Sequence, residues 1–277
     1  MGSPILLETR FRKRPASRLT LLRPWGFGLL LISAVFLAFS PPIAQDQRYH
    51  LFADGRELFG VPNFLDVVSN AIFAVVGIMG LRRRRDLLAH VLFSGALLTC
   101  FGSSYYHVAP NDARLVWDRL PMTLVFMSVM AWVIAAATGT RCSSRMLVSL
   151  LIAGIASVWW WHATGDLRPY FMVQYGGMLV LFASILLVKS TRGLWPVLLF
   201  YSLAKLVETY DRAIYAFAPI SGHTCKHLLA GVAVYFILRW HSRDCGTAPG
   251  CGEVPRELES IGFQNFVRVP ERLLGRS

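Results

Sequence analysis

The chain has 277 residues, of which 55% are hydrophobic and only 16% are charged, and its formal net charge is +12 at pH 7. A soluble globular protein carries about 25% charged residues, and several apolar runs here approach the roughly 20 residues that cross a bilayer. These values exclude an ordinary soluble domain and predict a polytopic membrane protein, an all-α helical bundle. The basic residues gather in particular loops and tails, which indicates membrane topology rather than nucleic-acid binding. The five cysteines show no CxxC spacing, so no disulfide framework is predicted.

Residues 1–24 form a basic segment in which six Lys or Arg residues stand against the single acid Glu8. This segment precedes an apolar run at 25–40, and a basic stretch in that position holds the amino terminus in the cytoplasm. The run is short, and Ile43-Ala44 resembles a poor cleavage site. Residues 25–40 are therefore predicted to be either an extra transmembrane helix or a signal peptide.

A seven-helix domain is predicted over residues 41–242, after a polar outer segment at 41–61. Its apolar spans alternate in direction and cover 62–81, 87–107, 116–138, 146–162, 169–188, 194–214 and 222–240. Arg82-Arg83-Arg84-Arg85 is the strongest marker of the inner side. The polar tail 243–277 is assigned to the cytoplasm, so both termini are predicted there. Trp159-Trp160-Trp161 is typical of an interfacial aromatic belt.

Polar residues gather where the apolar spans reach the outer surface. His107 closes an outward-running span, and Asp118 opens the next one. His223 and His227 open the last span, which also begins outside, so the four side chains are predicted at one membrane level. Ser103 lies one helical turn before His107 on the same face, and two His four residues apart share a face in the same way.

These residue types are typical of a hydrolytic zinc site. Catalytic zinc takes three protein ligands and leaves a fourth place for water, and His107, His223 and His227 can supply the three. Asp118 is the carboxylate that can orient the water or take its proton, and Ser103 can donate a hydrogen bond to the water or to a developing oxyanion. An alternative stays open, in which the His pair only extends to the interface or bonds to a neighbour.

Three motifs resemble those of the alkaline ceramidase family, part of a wider group of seven-helix membrane hydrolases that includes the adiponectin receptors. They are Gly102-Ser-Ser-Tyr-Tyr-His107, Asp118-Arg-Leu-Pro-Met122 and His223-Thr-Cys-Lys-His227. The Ser69-Asn70 pair also matches the family's first core helix, and the resemblance covers about residues 50–240. It implies zinc bound by the three histidines, Asp118 acting on water and Ser103 as the oxyanion-side donor. It also implies a ceramide-like amide substrate, cleaved to a sphingoid base and a fatty acid.

The family's calcium site is poorly matched in this chain. Eukaryotic members carry the acidic pattern Asp-Trp-x-Glu-x-Asn before the first core helix, and a Glu at the start of that helix. Here Phe52-Ala-Asp-Gly-Arg-Glu57 keeps few of those residues, and Asn63 stands where the Glu would be. Asp54 is the one calcium ligand that the resemblance implies.

Charged and polar residues inside the predicted spans are expensive and normally pair within a bundle. Lys205, Glu208 and Asp211 share one helix face, and a structural Lys205–Glu208 ion pair is predicted. A role of these residues in substrate or proton handling is the alternative. Asp66 and Asn70, one turn apart, are predicted to hydrogen-bond to a neighbouring helix near the site.

The leading functional hypothesis is a zinc-dependent amidohydrolase that acts on a lipid amide within the bilayer, near the outer (periplasmic or luminal) face. The alternative is a non-hydrolytic transporter or receptor-like protein whose polar cluster binds an ion or ligand. A third reading keeps the hydrolase chemistry and changes the substrate to another lipid amide or ester. No particular oligomeric state is predicted.

Overall fold

A computed structural model of the chain describes residues 39–83, 86–138 and 142–244, together with Val35. Within these residues every regular element is a helix, and the only strand-like feature is an isolated bridge between Leu58 and Val61. The predicted all-α fold is confirmed. Three predicted segments lie wholly or mainly outside the described residues: 1–24, 25–40 and 243–277.

The helices are named here in chain order. They are α1 Phe64–Val68, α2 Ala71–Arg83, α3 Leu87–Val108, α4 Asp112–Thr138, α5 Ser144–Thr164, α6 Arg168–Phe171, α7 Gly177–Leu187, α8 Trp195–Thr209, α9 Asp211–Tyr215 and α10 Gly222–Asp244. A π-helical turn at Met172–Gly176 joins α6 to α7, and 3-10 turns stand at Gln47–His50 and Lys189–Leu194. Side-chain caps define two of the helix starts: Asp86 accepts the N–H of Ala89, and Ser143 that of Met146.

Each of the seven predicted spans coincides with a helical segment, but two of them are less typical of a membrane span than predicted. Five segments are long and apolar enough to cross a bilayer: Phe64–Arg83, Leu87–Val108, Asp112–Ala137, Ser144–Thr164 and Arg168–Leu187. The helix α8 has only 15 residues, because the chain leaves helical geometry at Tyr210. The helix α10 is long enough but carries polar residues at both ends. The five apolar helices indicate a multi-pass membrane protein.

The helices that carry the candidate site pack side by side. The helix α3 lies between α2 and α4, and α10 lies against α8 and also contacts α2. The largest buried apolar cluster fills the bundle and includes Leu92, Phe93, Val133 and Leu238. A second buried cluster contains Tyr106, Leu115, Trp161 and Tyr170, at the end of the bundle where α3 meets α4. The candidate site lies beside this second cluster.

Candidate metal centre

Three histidines meet at one end of the bundle. His107 lies in the last turn of α3, and His223 and His227 lie in the first two turns of α10. One ring nitrogen from each histidine lies within 4.8 Å of the others, and Nε2 of His107 is 3.2 Å from Nε2 of His227. All three side chains are buried. The structure therefore brings together the three residues that the sequence predicted as metal ligands.

The ring nitrogens of this cluster fit a shared metal ion. Among the described residues, Nδ1 of His107 and Nε2 of His223 are buried and have no hydrogen-bond partner. Buried polar atoms are normally hydrogen-bonded, and neutral imidazole nitrogens are the commonest metal ligands. A set of three histidines is typical of catalytic zinc. The donor atoms present are those that zinc would take.

Ser69 orients the ring of His227, a role that sequence reasoning missed. Its Oγ is 2.8 Å from Nδ1 of His227 and donates a hydrogen bond to the carbonyl oxygen of Asp66 at 3.1 Å. Because the hydroxyl proton is used on that carbonyl, Nδ1 of His227 donates to Oγ. Nε2 then keeps the lone pair that a metal needs.

Two aspartates fix the first turn of α10, where His223 lies. Oδ1 of Asp66 accepts from Oγ1 of Thr224 at 2.6 Å and from Oγ of Ser221 at 3.2 Å. Oδ1 of Asp211 accepts the backbone N–H of His223 at 2.8 Å. The prediction that Asp66 bonds to a neighbouring helix is confirmed, whereas the part played by Asp211 was not predicted.

Asp118 and Ser103 lie together because α3 and α4 approach closely at this point. The two side chains are buried and line the same cavity, and the Ser103 hydroxyl lies close enough to the Asp118 carboxylate to interact with it. A Cβ atom on Gly102 would lie only 2.0 Å from the carbonyl oxygen of Trp117. That carbonyl has no helical partner, because Pro121, four residues on, has no N–H to donate. Gly102 and Pro121, which belong to the sequence motifs, thus explain how the predicted pair is brought into contact.

The ring of Phe52 covers one side of the histidine cluster. The ring centroid of Phe52 is 4.7 Å from that of His107 and 4.5 Å from that of His223. Beside it, Nδ1 of His50 is 2.9 Å from Oη of Tyr106, and Nε2 is 3.0 Å from Oδ1 of Asp112. His50 therefore has two partners of its own and lies outside the candidate ligand set.

A cavity of about 740 Å³ lies on the other side of the cluster. Ser103, Asp118 and His227 line one part of it. Deeper in the bundle its wall is apolar and consists of Ala96, Val133, Leu181, Val197, Ala233, Val234 and Ile237. Along α10, His227 and Ile237 are ten residues apart, which corresponds to about 15 Å. The cavity thus joins a polar end, where the candidate residues lie, to a long apolar end.

Glu208 holds two lysines at the polar end of the cavity. Its Oε1 accepts from Nζ of Lys226 at 2.7 Å and from the hydroxyl of Tyr49 at 3.1 Å. Its Oε2 accepts from Lys205. The predicted Lys205–Glu208 pair is confirmed, whereas the second lysine was not predicted.

Asp54, the residue implied as a calcium ligand, is bound to a cation of the chain itself. Its Oδ1 accepts from Nε of Arg56 at 2.8 Å, and its Oδ2 accepts from Nη2 at 2.7 Å. This guanidinium holds the pKa of the Asp54 carboxyl below its usual value. The same Nη2 also donates to the carbonyl oxygen of Pro219 at 2.6 Å. Because both carboxylate oxygens are taken, the residues around Asp54 do not fit a calcium ion.

Fold and site together define a multi-pass helical membrane protein with a buried three-histidine centre beside a Ser–Asp pair. Comparison with protein families matches residues 61–195 to the family Ceramidase. Over this region the chain is alkaline ceramidase-like, and the predicted resemblance is confirmed. A comparison with curated proteins found no match. The family match includes Ser103, His107 and Asp118 and ends before the last two histidines, which reach the same site through the fold.

Proposed function

We propose that this protein is a zinc-dependent integral-membrane amidohydrolase that cleaves the amide bond of ceramide-like lipids to a sphingoid base and a fatty acid. The observation that carries the proposal is the meeting of three buried histidines with the Ser103–Asp118 pair beside one cavity. The similarity to the ceramidase family supports a hydrolase that acts on amide bonds.

His107, His223 and His227 would hold the zinc ion. Bound zinc lowers the pKa of a water molecule to about 7 and polarises a carbonyl oxygen. Ser69 serves this site by keeping His227 in the tautomer with a free Nε2. Phe52 excludes bulk water from the outer side, which strengthens electrostatic interactions within the site.

Asp118 is the proton carrier of the proposed reaction. It accepts a proton from the attacking water as the water oxygen bonds to the amide carbon, and it passes the proton to the leaving nitrogen as the C–N bond breaks. The products are a free amine and a carboxylic acid. Ser103 lies beside Asp118 and would hold its carboxylate by donating a hydrogen bond to it. Because a hydroxyl has one proton, Ser103 can donate either to Asp118 or to a developing oxyanion, but not to both at once.

The cavity supports a substrate with long apolar chains. Its volume of about 740 Å³ is within the usual range for ligand sites, about 300–1,000 Å³. Its apolar wall suits hydrocarbon, and its polar end suits the amide. A lipid can therefore present its amide to Asp118 while its chains stay in an apolar environment.

The active site is proposed to lie near the outer face of the membrane, with both termini in the cytoplasm. Arg82 and Arg83 end α2, and α3 starts beside them, so His107 lies at the opposite end of α3. Arg239 and Trp240 likewise lie far along α10 from His223. Basic residues at the end away from the site support this orientation through the positive-inside rule.

Metal analysis combined with a ceramide turnover assay tests the proposal. Purified protein should contain one zinc per chain and release fatty acid from ceramide, and a chelator should abolish the turnover. The variant His223→Ala should lose zinc and activity, whereas His162→Ala, an exposed position on α5, should keep both. A folded protein that carries no zinc and does not cleave ceramide would instead favour the non-hydrolytic transporter or receptor reading.

A further inference from the structure

Arg119 is a buried cation in the wall of the cavity. It follows Asp118 directly on α4 and is only 5% exposed. Its guanidinium carbon lies 4.1 Å from the ring centroid of Trp161 and 4.8 Å from that of Tyr170. Nη2 donates to Oε1 of Gln45 at 2.7 Å. Nη1 is buried and has no hydrogen-bond partner among the described residues.

The charged residues that line the cavity carry one positive charge in excess. Four basic side chains stand against three carboxylates: Arg48, Arg119, Lys205 and Lys226, against Asp46, Asp118 and Glu208. Arg48 is paired with Asp46, and both lysines are paired with Glu208. In the part of the chain that the structure describes, Arg119 forms no such ion pair. A desolvated charge without an ionic partner is unfavourable, so the surroundings of Arg119 favour binding of an anion.

Lys226 brings further positive charge to the same end of the cavity. It directly precedes His227, just as Arg119 directly follows Asp118. The charges of Lys226 and Arg119 both act on the Asp118 carboxylate. Because Glu208 is shared between two lysines, that cluster carries one positive charge. The Asp118 carboxylate is the one remaining acid of the cavity wall that stands against this charge and that of Arg119. The two cations therefore lie beside the place where the amide is proposed to react.

We propose that Arg119, assisted by Lys226, binds an anionic oxygen group, such as a phosphate, on the head of the lipid amide. A guanidinium presents planar N–H donors that match an oxyanion, and the unpartnered Nη1 supplies one of them. The head group then lies between α4 and the start of α10, and the hydrocarbon follows the apolar wall. This inference rests on the proposed function and narrows its substrate to lipid amides with an acidic head group.

Binding of dodecyl phosphate to the full chain in an uncharged detergent tests the anion site without any turnover. We expect Arg119→Gln to weaken this binding by about tenfold or more, and Arg119→Lys to weaken it less, because lysine keeps the charge and loses the planar donor pair. Arg48→Gln is the matched control, because Arg48 lines the same cavity but its side chain is 86% exposed and paired with Asp46. Equal binding by wild type and Arg119→Gln, or equal losses in Arg119→Gln and Arg48→Gln, would overturn the inference.

Turnover of two lipids with identical chains, ceramide and ceramide 1-phosphate, tests the same site in the reaction. Wild type should have the higher kcat/KM on the phosphorylated lipid, and Arg119→Gln should lose about tenfold or more on that lipid and much less on ceramide. Equal losses on both lipids would show that Arg119 only packs the fold, which overturns the inference. If Arg119→Gln does not fold, Lys226→Gln makes the same test, since Glu208 keeps Lys205 as a partner.

The two measurements separate this inference from the proposed function. If the protein cleaves ceramide but does not bind dodecyl phosphate, the anion site is refuted and the proposed hydrolase function stands. If the protein binds dodecyl phosphate through Arg119 but cleaves neither lipid, the anion site stands and the proposed hydrolase function is refuted.

Discussion

Replacing Gly102 by alanine tests how the fold holds Ser103 against Asp118. The added Cβ would meet the carbonyl oxygen of Trp117 at 2.0 Å and the carbonyl carbon at 2.9 Å. Close contacts between aliphatic carbon and carbonyl oxygen lie at about 3.3 Å or more. Since the clash involves the backbone of α4, no change of rotamer relieves it. The helices α3 and α4 must therefore separate locally by about 1.3 Å, the difference between those two C···O distances.

This separation should reduce turnover far more than zinc content. Overpacking of this kind costs about 1–3 kcal/mol of stability, and a displacement of about 1 Å at a reacting group can lower a rate by about 100-fold. We therefore expect Gly102→Ala to fold with reduced stability and to lose about 100-fold in kcat. It should keep most of its zinc, because the three histidines lie on α3 and α10 rather than on α4.

Thermal unfolding, zinc content and ceramide turnover of the purified variant measure these effects. Gly177→Ala is the matched control, because its Cβ would lie 3.7 Å from Cε of Met130, an ordinary contact. In a helix this change from glycine should stabilise by about 0.5–1 kcal/mol and leave kcat near the wild-type value. Wild-type turnover and stability in Gly102→Ala would refute the reasoning that the close approach of α3 and α4 positions the pair.

The remaining predictions concern the metal, its support and the outer loop. Asp118→Asn should keep zinc and lose about 10²–10⁴-fold in kcat, as expected for a lost general base; loss of zinc in this variant would mean that Asp118 is a ligand. Ser69→Ala should weaken zinc affinity by about 10–100-fold in a chelator competition assay, because His227 loses the partner that orients it; unchanged affinity would contradict that role. Arg56 lowers the pKa of Asp54 below the usual 3.8, so this pair stabilises the fold above that pH and the contribution is lost as the pH falls through the lowered pKa. The melting temperature of wild type should thus fall more steeply in acid than that of Asp54→Asn, and added calcium should shift neither; a calcium-dependent shift that requires Asp54 would restore the calcium site.

The sequence could predict that the residues of the candidate site lie at helix ends on one side of the bundle. The charges of the loops indicate the direction of each span. Arg82 to Arg85 mark one side of the membrane, so His107, one span further, had to reach the other. The same reasoning brought Asp118 and His223 to that level. Helical spacing then put Ser103 on the face of His107. These predictions required only local rules, and the structure brings the predicted residues together.

The residues that surround the site could not be predicted, because their contacts depend on which helix faces meet. Trp159 and Trp161 belong to one apolar run, yet Trp159 is 52% exposed and Trp161 only 3%. Trp161 packs on Arg119 instead of serving the interfacial belt predicted for it. The prediction for Asn70 was wrong, because its amide donates to the carbonyl of Asp66 at 2.8 Å within its own segment. No periodicity in the sequence indicates that Phe52, from the segment before α1, covers the histidines.

X-ray absorption at the zinc edge of the purified, full-length protein tests the central claim most directly. We expect a shell of nitrogen and oxygen atoms at about 2.0–2.1 Å with imidazole scattering, and we expect His223→Ala or His227→Ala to weaken that imidazole signal. Protein without bound zinc, a sulfur shell at about 2.3 Å, or a spectrum that neither substitution changes would contradict a metal site built from these three histidines.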